Sequence, residues 1–267
     1  MSVAGVAIAT VASQIVSAVL TLGFLARQNN CCRLRFRQLR IYPDRLKAII
    51  RIGLPAGLQS SLFAISNVLI QSSINSLGTA VMEANTAVGN LEGFLYIAMN
   101  AFYHSSLTFI GQNIGARQYH RIRRICLTCI LLVMAVGITV GAFLLVFHEP
   151  LLSIYTSADD PSEMISLGFT RMIITSSTYF ACGLMEVMTG SLRGLGSSLA
   201  PMLLSVFGVC GIRILWISTI FAANRTLQSL YIAYPVSWIS TFLMLTAAFL
   251  VVYHQFMKKH AGENETV

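Results

Sequence analysis

The sequence predicts an all-α polytopic membrane protein, a bundle of about seven transmembrane helices, on three observations. First, 55% of its 267 residues are hydrophobic and only 10% are charged, whereas soluble domains carry about 25% charged residues. Second, the apolar residues form continuous runs of about the 20 residues that a helix needs to cross a bilayer. Third, no run alternates apolar and polar residues as a membrane β-strand does, so helices rather than a barrel are expected.

Seven apolar runs are long enough to span the membrane, and charges, prolines or polar clusters bound each of them. The runs cover residues 2–26, 52–78, 83–112, 125–147, 164–190, 200–222 and 230–254. The first run begins at the N-terminus without a basic flank or a clear cleavage site, which argues against a signal peptide. We therefore expect it to be an internal helix, and an upstream part of the protein to be missing or separately encoded.

The positions of the charges predict the orientation of the chain. The net charge is +8, but the basic residues concentrate in two connections, residues 27–51 and 113–124, which the positive-inside rule places in the cytoplasm. The connection between the fourth and fifth runs has no Lys or Arg and carries Glu149, Asp159, Asp160 and Glu163. Lys258 and Lys259 then place the C-terminus inside the cell. Because membrane orientation accounts for the basic charge, the bilayer and not nucleic acid is the expected partner.

Residues 27–51 form a basic linker between the first run and the other six. Over residues 34–51, apolar side chains are interspersed with the arginines, which indicates an amphipathic helix on an anionic membrane surface. The linker is expected to join two halves of a larger protein. Residues 1–26 would be the last helix of the first half, residues 52–254 six helices of the second half, and residues 255–267 a cytoplasmic tail.

Polar residues repeat at three- or four-residue steps in three of the runs, so each of these helices has a polar face. An ionisable group facing lipid costs roughly 2.5–3.5 kcal/mol, so the polar faces are expected to line a water-accessible cavity. Glu92 and Glu186 lie deep in the third and fifth runs and are the candidates for binding a proton or a coupling ion. The candidates for the cavity wall are Asn67, Gln71, Asn75, Tyr96, Asn100, Thr178, Tyr179 and Cys182.

A buried carboxyl provides a mechanism for antiport. In a low-dielectric cavity it can hold a proton or, when ionised, bind Na⁺ or an organic cation, but not both at once. Structural roles are the alternative: amides and hydroxyls join helices through hydrogen bonds of about 0.6 kcal/mol each, and either carboxyl can form a salt bridge to Arg171 or Arg213. Pro55, Arg193 and Arg213 are expected to be structural or gating residues.

Two short motifs are interpreted as packing features. Gly137 and Gly141 form a G-x-x-x-G in the fourth run, which permits another helix to approach closely. Cys126 and Cys129 form a C-x-x-C at the start of the same run. No second pair of ligands lies nearby, so no metal site is expected there.

Several strings resemble the multidrug and toxic compound extrusion (MATE) family of secondary transporters. The most specific is Ser-Leu-Arg-Gly-Leu-Gly at residues 191–196, followed by Pro201, which is similar to the L-R-G-x-G turn after the family's tenth helix. Gly-Leu-Pro at residues 53–55 resembles the start of the family's second lobe. Residues 111–116 resemble the exit of the eighth helix, and residues 5–10 resemble part of the sixth.

The resemblance implies that the seven runs correspond to helices six through twelve of a twelve-helix protein. Such a protein has two six-helix lobes and alternating access around a central cavity. It implies a component of a plasma-membrane antiporter that exports drugs or organic cations in exchange for H⁺ or Na⁺, without another cofactor, working with an N-terminal lobe. Two places where members often carry an acid hold Phe63 and Cys182 here, so Glu186 and Glu92 are assigned from their placement.

Other classes fit the residues less well. A seven-helix photoreceptor needs a Lys in its last run, which residues 230–254 lack, and no Asp-Arg-Tyr of a receptor occurs. An enzyme is not expected, because H-E-x-x-H and G-x-S-x-G are absent. A related flippase for lipid-linked oligosaccharides would need several cavity arginines, for which Arg171 and Arg213 are the candidates. An inactive half-transporter fragment is a further alternative.

Overall fold

The computed structural model describes residues 3–28, 33–35, 40–155 and 162–260, and these residues are almost entirely helical. They contain no β-strand, which agrees with the predicted all-α class. The chain divides into two compact units, Met1–Ala48 and Ile49–Val267. Each unit is described by itself below.

The first unit contains α1 (Val3–Arg27) and the basic linker. Helix α1 agrees with the predicted run within one residue at each end. In the linker, residues 33–35 and 40–42 are not helical, and residues 29–32 and 36–39 lie outside the described part of the chain. Of the amphipathic helix predicted over residues 34–51, only residues 36–39 lie outside the described residues, and residues 34, 35 and 40–42 are not helical.

The next helix, α2 (Pro43–Asn75), begins within that predicted surface helix and continues into the second run. Proline is favoured in the first turn of a helix, which accounts for the start at Pro43. No helix-ending residue follows before Gly53, and Pro55 is accommodated inside the helix. Residues 43–51 are thus the first turns of one long helix rather than a separate element, because nothing in the sequence stops the helix between them and the apolar run.

The second unit contains the remaining helices, and their limits follow the predicted runs closely. The long ones are α3 (Thr79–Gly115), α4 (Arg121–Val146) and α10 (Leu227–Lys259). Between α4 and the fifth run lies a short helix that was not predicted, α5 (His148–Ser153). Residues 156–161 of the acidic connection, with Asp159 and Asp160, are outside the described residues.

The fifth and sixth runs are interrupted helices. The fifth consists of α6 (Ser162–Thr175), a 3₁₀ turn (Ser176–Thr178) and α7 (Tyr179–Gly194). The sixth consists of α8 (Leu199–Ser205), a π-helical segment (Val206–Gly211), α9 (Ile212–Trp216) and a second π-helical segment (Ile217–Phe221). Departures of this kind from α-helical geometry inside a span frequently mark functional positions.

Five helices in the described residues are long and apolar enough to cross a membrane, with mean hydropathies of 1.4 to 2.8. They lie at Ala7–Arg27, Pro43–Asn75, Arg121–Val146, Leu199–Phe221 and Leu227–Lys259. Helix α3 and the interrupted α6–α7 span do not meet this criterion. These two spans carry two of the three polar faces, and the 3₁₀ turn divides the second of them.

Helix α7 is the centre of the second unit and packs against α3, α4 and α10. Two glycines of α4 allow this helix to approach α7 and the 3₁₀ turn that precedes it. A Cβ atom added at Gly137 would lie 2.9 Å from Cα of Phe180, and one added at Gly141 would lie 2.6 Å from the carbonyl oxygen of Ser176. Both distances are shorter than side-chain packing permits, which confirms that this G-x-x-x-G is a site of close helix packing.

Candidate functional site

The second unit contains an open cavity of about 450 Å³ between α2, α3, α7, α9 and α10. Its wall combines one carboxyl, one guanidinium, one thiol and several aromatic rings. The lining residues include Asn67, Tyr96, Tyr179, Cys182, Glu186, Arg213, Tyr234 and Trp238. The first six of these were singled out from the sequence, so the helical spacing of polar residues identified much of this wall.

Glu186 lies on α7 and is partly exposed, although the other eleven residues from 181 to 192 are all buried. Its carboxyl has no hydrogen bond or ion pair with the described residues. Small residues bring α3 close to this part of α7, since a Cβ at Gly183 would overlap the sulfur of Met99. The close approach places Tyr96 of α3 and Glu186 of α7 around the same cavity.

Arg213 supplies the positive charge of the cavity wall, and three groups hold its guanidinium. Its Nε donates to Oγ of Ser237 at 3.2 Å, and its Nη1 donates to Oδ1 of Asn67 at 3.2 Å. The guanidinium carbon lies 4.4 Å from the ring centroid of Tyr234, a cation–π contact. Arg213 is 6% exposed, so it is fixed in the wall rather than extended into the cavity.

Glu92, the second carboxyl predicted for the site, lies in a buried cluster and does not line this cavity. Its Oε2 is 2.5 Å from Nη2 of Arg171, the one ion pair in the described part of the chain. Its Oε1 accepts hydrogen bonds from the hydroxyls of Thr175 and Ser176. The structural salt bridge to Arg171, which the sequence left open as an alternative, is therefore present.

Gln71 and Asn75, predicted for the cavity wall, belong to the same polar cluster. Nε2 of Gln71 donates to Oδ1 of Asn75 at 2.9 Å, and Oε1 of Gln71 accepts from Nδ2 of Asn85 at 3.2 Å. Asn85 in turn accepts from Arg171 through its backbone oxygen and its side-chain oxygen. A continuous hydrogen-bond network thus joins α2, α3 and α6 through these side chains.

A third polar contact lies at the other end of α7. Nη1 of Arg193 donates to the hydroxyl of Tyr103 at 2.6 Å, and Nη2 donates to Oε1 of Gln59 at 2.7 Å. Arg193 therefore ties α7 to α3 and α2 on the far side of the cavity from the Glu92–Arg171 pair. This contact is compatible with the structural or gating role predicted for Arg193. Pro55, one helical turn before Gln59, is buried in α2.

Two further candidates, Asn100 and Thr178, are not among the lining residues of the cavity. The hydroxyl of Thr178 donates to the backbone oxygen of Ile174 at 2.6 Å, a bond within its own span. Conversely, sequence reasoning missed Tyr234 and Trp238 of α10, although both line the cavity. Their spacing of four residues places them on one helix face, and that aromatic pair was the signal available.

The described residues contain no group of three or more His, Cys, Asp or Glu that could hold a metal ion. Four cysteines are free and buried: Cys126, Cys129, Cys182 and Cys210. The Cys126 thiol lies 4.0 Å from the sulfur of Met188 and accepts a hydrogen bond from the hydroxyl of Ser191 at 3.6 Å. Both contacts are between α4 and α7 and agree with the packing role predicted for Cys126.

The fold and the cavity define a polytopic α-helical membrane protein that holds a mixed polar and aromatic cavity between its helices. The model of the MatE family matches residues 55–219, more than half of the chain. The chain belongs to this family, whose members are transporters rather than enzymes.

Curated relatives carry names that refer to drug resistance. The "Probable multidrug resistance protein YoeA" of Bacillus subtilis is 22% identical over 266 residues, covering 97% of this chain and 55% of the relative. The "Probable multidrug resistance protein NorM" of Thermotoga maritima is 26% identical over 213 residues, covering 78% of this chain and 44% of the relative. The chain thus spans about half the length of the curated relatives it matches.

Solved structures show the same fold. A crystal structure described as MATE in complex with MaL6 superimposes with a TM-score of 0.84 at 16% identity, covering 95% of this chain and 57% of that one. The Vibrio cholerae MATE transporter VcmN in its bent form gives a TM-score of 0.74 at 20% identity, covering 95% and 54%. These likenesses confirm the predicted polytopic membrane fold.

Proposed function

We propose that this chain forms the C-terminal lobe of a secondary antiporter that exports cationic or lipophilic compounds across the cell membrane in exchange for H⁺ or Na⁺. The observation that carries the proposal is the carboxyl of Glu186, which lines an aromatic cavity without a hydrogen-bond or ion-pair partner among the described residues. A partnerless carboxyl inside a membrane protein is costly unless a proton or a cation neutralises it.

Glu186 couples the movement of the ion to that of the exported compound because it binds only one of the two at a time. When protonated or bound to Na⁺, it no longer attracts an organic cation, and when a cation occupies the cavity the proton or Na⁺ is displaced. The rings of Tyr96, Tyr179 and Trp238 provide faces on which a flat lipophilic cation can stack. Exchange then follows from alternating access, as in other secondary transporters.

Arg213 lines the same cavity as Glu186 and supplies the positive charge of its wall. Its hydrogen bonds to Asn67 and Ser237 keep the guanidinium in the wall, so it does not neutralise Glu186 directly. It is the one cationic side chain lining the cavity in the part of the chain that the structure describes. An anionic lipid-linked oligosaccharide would require several such groups, and Arg171 is engaged by Glu92. The single arginine favours export of organic cations over the flippase alternative.

The sequence also predicted Glu92 as a coupling residue, but its contacts favour a structural role. Its ion pair with Arg171 and its bonds to Thr175 and Ser176 leave the carboxyl fully occupied. To take up a proton or Na⁺, Glu92 would have to release Arg171 into a low-dielectric environment, which is costly. We therefore assign the coupling role to Glu186 and a structural role to Glu92.

The proposal includes a second lobe as partner, because the matched relatives are about twice as long as this chain. The test expresses the chain alone and together with the N-terminal half of a NorM-type relative in an efflux-deficient bacterial host. Ethidium export is measured in everted membrane vesicles energised by H⁺ or by Na⁺. We expect export with both lobes present and none with this chain alone.

The matched variants are Glu186→Gln and Glu83→Gln, which remove the same charge. Glu83 lies on α3, is exposed and does not line the cavity. Export should be lost in the first variant and kept in the second. Undiminished export by Glu186→Gln would refute the site assignment. Absence of export in every pairing of lobes would support the inactive-fragment alternative instead.

The orientation of the chain is part of the proposal. With the C-terminus in the cytoplasm, a green fluorescent protein fused after Lys259 would fluoresce and alkaline phosphatase fused there would be inactive. The reverse pair of results would place the basic connections outside and contradict the positive-inside assignment. The same fusions made at residue 118, in the turn between α3 and α4, provide an internal check because that turn is expected on the same side.

A further inference from the structure

A second groove of about 510 Å³ lies between α3 and α4 and shares no lining residue with the cavity around Glu186. Its long walls are apolar, formed by Phe102 and Phe109 of α3 and by Ile125 and Leu132 of α4. Phe109 and Leu132 are 53% and 50% exposed, so the groove opens at the surface of the unit. Over the seven residues from Phe102 to Phe109 it extends about 10 Å along the helix.

One end of this groove is basic. Arg121 and Arg124 line it within the first turn of α4, and both side chains are exposed. Neither guanidinium forms a hydrogen bond or an ion pair with the described residues. Arginines in the first turn of a helix are opposed by the positive end of its dipole, so they do not stabilise α4. They are available to bind an anion from outside the chain.

We propose that this groove binds an acidic phospholipid, with its phosphate between Arg121 and Arg124 and one acyl chain along the apolar walls. Two guanidiniums suit a phosphate diester because each can donate two hydrogen bonds to it. The apolar walls begin immediately below, as the acyl chain of a phospholipid does below its headgroup.

Thr128 supports this placement. It lines the groove one helical turn after Arg124, about 6 Å deeper along α4. Its hydroxyl has no hydrogen-bond partner in the described part of the chain, so it can donate to an ester carbonyl of the lipid. Along α4 the lining residues run from Arg121 and Arg124 through Ile125 and Thr128 to Cys129 and Leu132, so the phosphate would lie at the basic end, the ester beside Thr128 and the acyl chain beyond it.

The positive-inside rule accounts for the number of arginines near this turn, but it does not explain why two of them line the same groove. Arg123 lies in the same turn of α4 and lines a different groove, between α4, α7 and α10. Arg117 is exposed in the preceding turn and lines neither. These two residues carry the same charge at the same membrane surface, so they provide a matched control for the pair in the groove.

The experiment places a fluorescent reporter in the groove by the substitution Leu132→Trp. The full chain is reconstituted in vesicles of equal parts phosphatidylglycerol and phosphatidylcholine, and either lipid is supplied in brominated form, which quenches tryptophan on contact. The surface charge is identical in both samples. Quenching of the native Trp216 and Trp238, measured in the unsubstituted protein, is subtracted.

We expect brominated phosphatidylglycerol to bind beside the reporter about 5- to 25-fold more strongly than brominated phosphatidylcholine, since each of the two arginines contributes up to about a factor of five. The double substitution Arg121→Gln with Arg124→Gln should reduce this ratio to about one, and Arg117→Gln with Arg123→Gln should leave it unchanged. Equal quenching by both lipids in the Leu132→Trp protein, or the same loss of preference in both double variants, would overturn the proposal. No quenching by either lipid would also overturn it and would indicate that protein covers the groove.

Discussion

Glu92 and Glu186 lie on adjacent helices, α3 and α7, and differ in what surrounds their carboxyl groups. Arg171, Thr175 and Ser176 surround Glu92, whereas Glu186 lines the cavity beside Tyr96 and Tyr179 without a partner in the described residues. Removing one member of a buried ion pair strongly destabilises the folded protein. A carboxyl without a partner has no such contact, so its removal should have less effect on stability. The difference teaches that two carboxyls on similar polar faces can have different surroundings, one bonded to a neighbouring helix and the other lining a cavity.

The largest expected effect comes from breaking the buried pair. Arg171→Ala leaves Glu92 without its counter-charge and should lower the free energy of unfolding by about 3–5 kcal/mol. Thermal unfolding of the purified chain in detergent, followed by circular dichroism, measures the change. The double variant Arg171→Met with Glu92→Leu removes both charges and should recover most of the loss. If the single variant were as stable as the unsubstituted protein, the ion pair would not be structural.

A smaller effect is expected from separating the helices that carry the two carboxyls. Gly183→Val should destabilise the bundle by about 1–3 kcal/mol through overpacking, because its Cβ would overlap Met99 and lie 2.6 Å from Val133. Gly93→Val on α3 is the control, since nothing lies within 4 Å of its added Cβ. Equal destabilisation of the two variants would show that helix propensity and not packing determines the result. The same unfolding assay applies.

The hydroxyls around Glu92 should contribute less than the guanidinium. Thr175→Val removes a donor to Glu92 while keeping the shape of the side chain, and we expect a loss of about 0.6–1.7 kcal/mol. Ser176→Ala removes a longer bond of 3.4 Å and should have less effect than Thr175→Val. Comparing the two melting temperatures tests this order, and a larger effect for Ser176→Ala would mean that the Glu92 cluster is arranged differently.

The smallest effect on stability is expected at the carboxyl of the cavity. Glu186→Gln breaks no contact seen among the described residues and should change the free energy of unfolding by less than about 0.5 kcal/mol. This variant is also the one expected to lose export, so stability and transport should separate. A loss of several kcal/mol would instead place Glu186 in a structural contact and remove the basis for its coupling role.

Helical spacing predicted much of the site but could not distinguish the two carboxyls. It placed Asn67, Tyr96, Cys182 and Glu186 on faces that the structure brings together around one cavity. It also placed Glu92 on such a face, because periodicity reports the direction of a side chain and not the residue opposite it. Whether a carboxyl meets Arg171 or a cavity depends on how far one helix is shifted along its neighbour. That shift cannot be read from a single sequence.

The interruptions of the helices were also beyond prediction. The residues of the 3₁₀ turn, Ser176–Thr178, are common inside membrane helices, and the π-helical segments around α9 contain ordinary apolar residues. The aromatic residues of α10 were missed because aromatic side chains in membrane helices are common at the interfaces, so an aromatic pair does not by itself indicate a cavity. By contrast, the helix limits followed from continuous apolar runs, which is why α4 and α10 agreed with prediction within a few residues.

The wide turns on either side of α9 have a consequence for the charge of the cavity. Each residue advances an α-helix by about 100° of rotation, so the number of residues held in Val206–Gly211 sets the angle at which Arg213 emerges. Shortening that segment by one residue would turn the guanidinium about a quarter of a circle, away from Asn67. The length of this apolar segment therefore determines the direction of the positive charge, and a chain with one residue fewer in it would present a different side chain to the cavity.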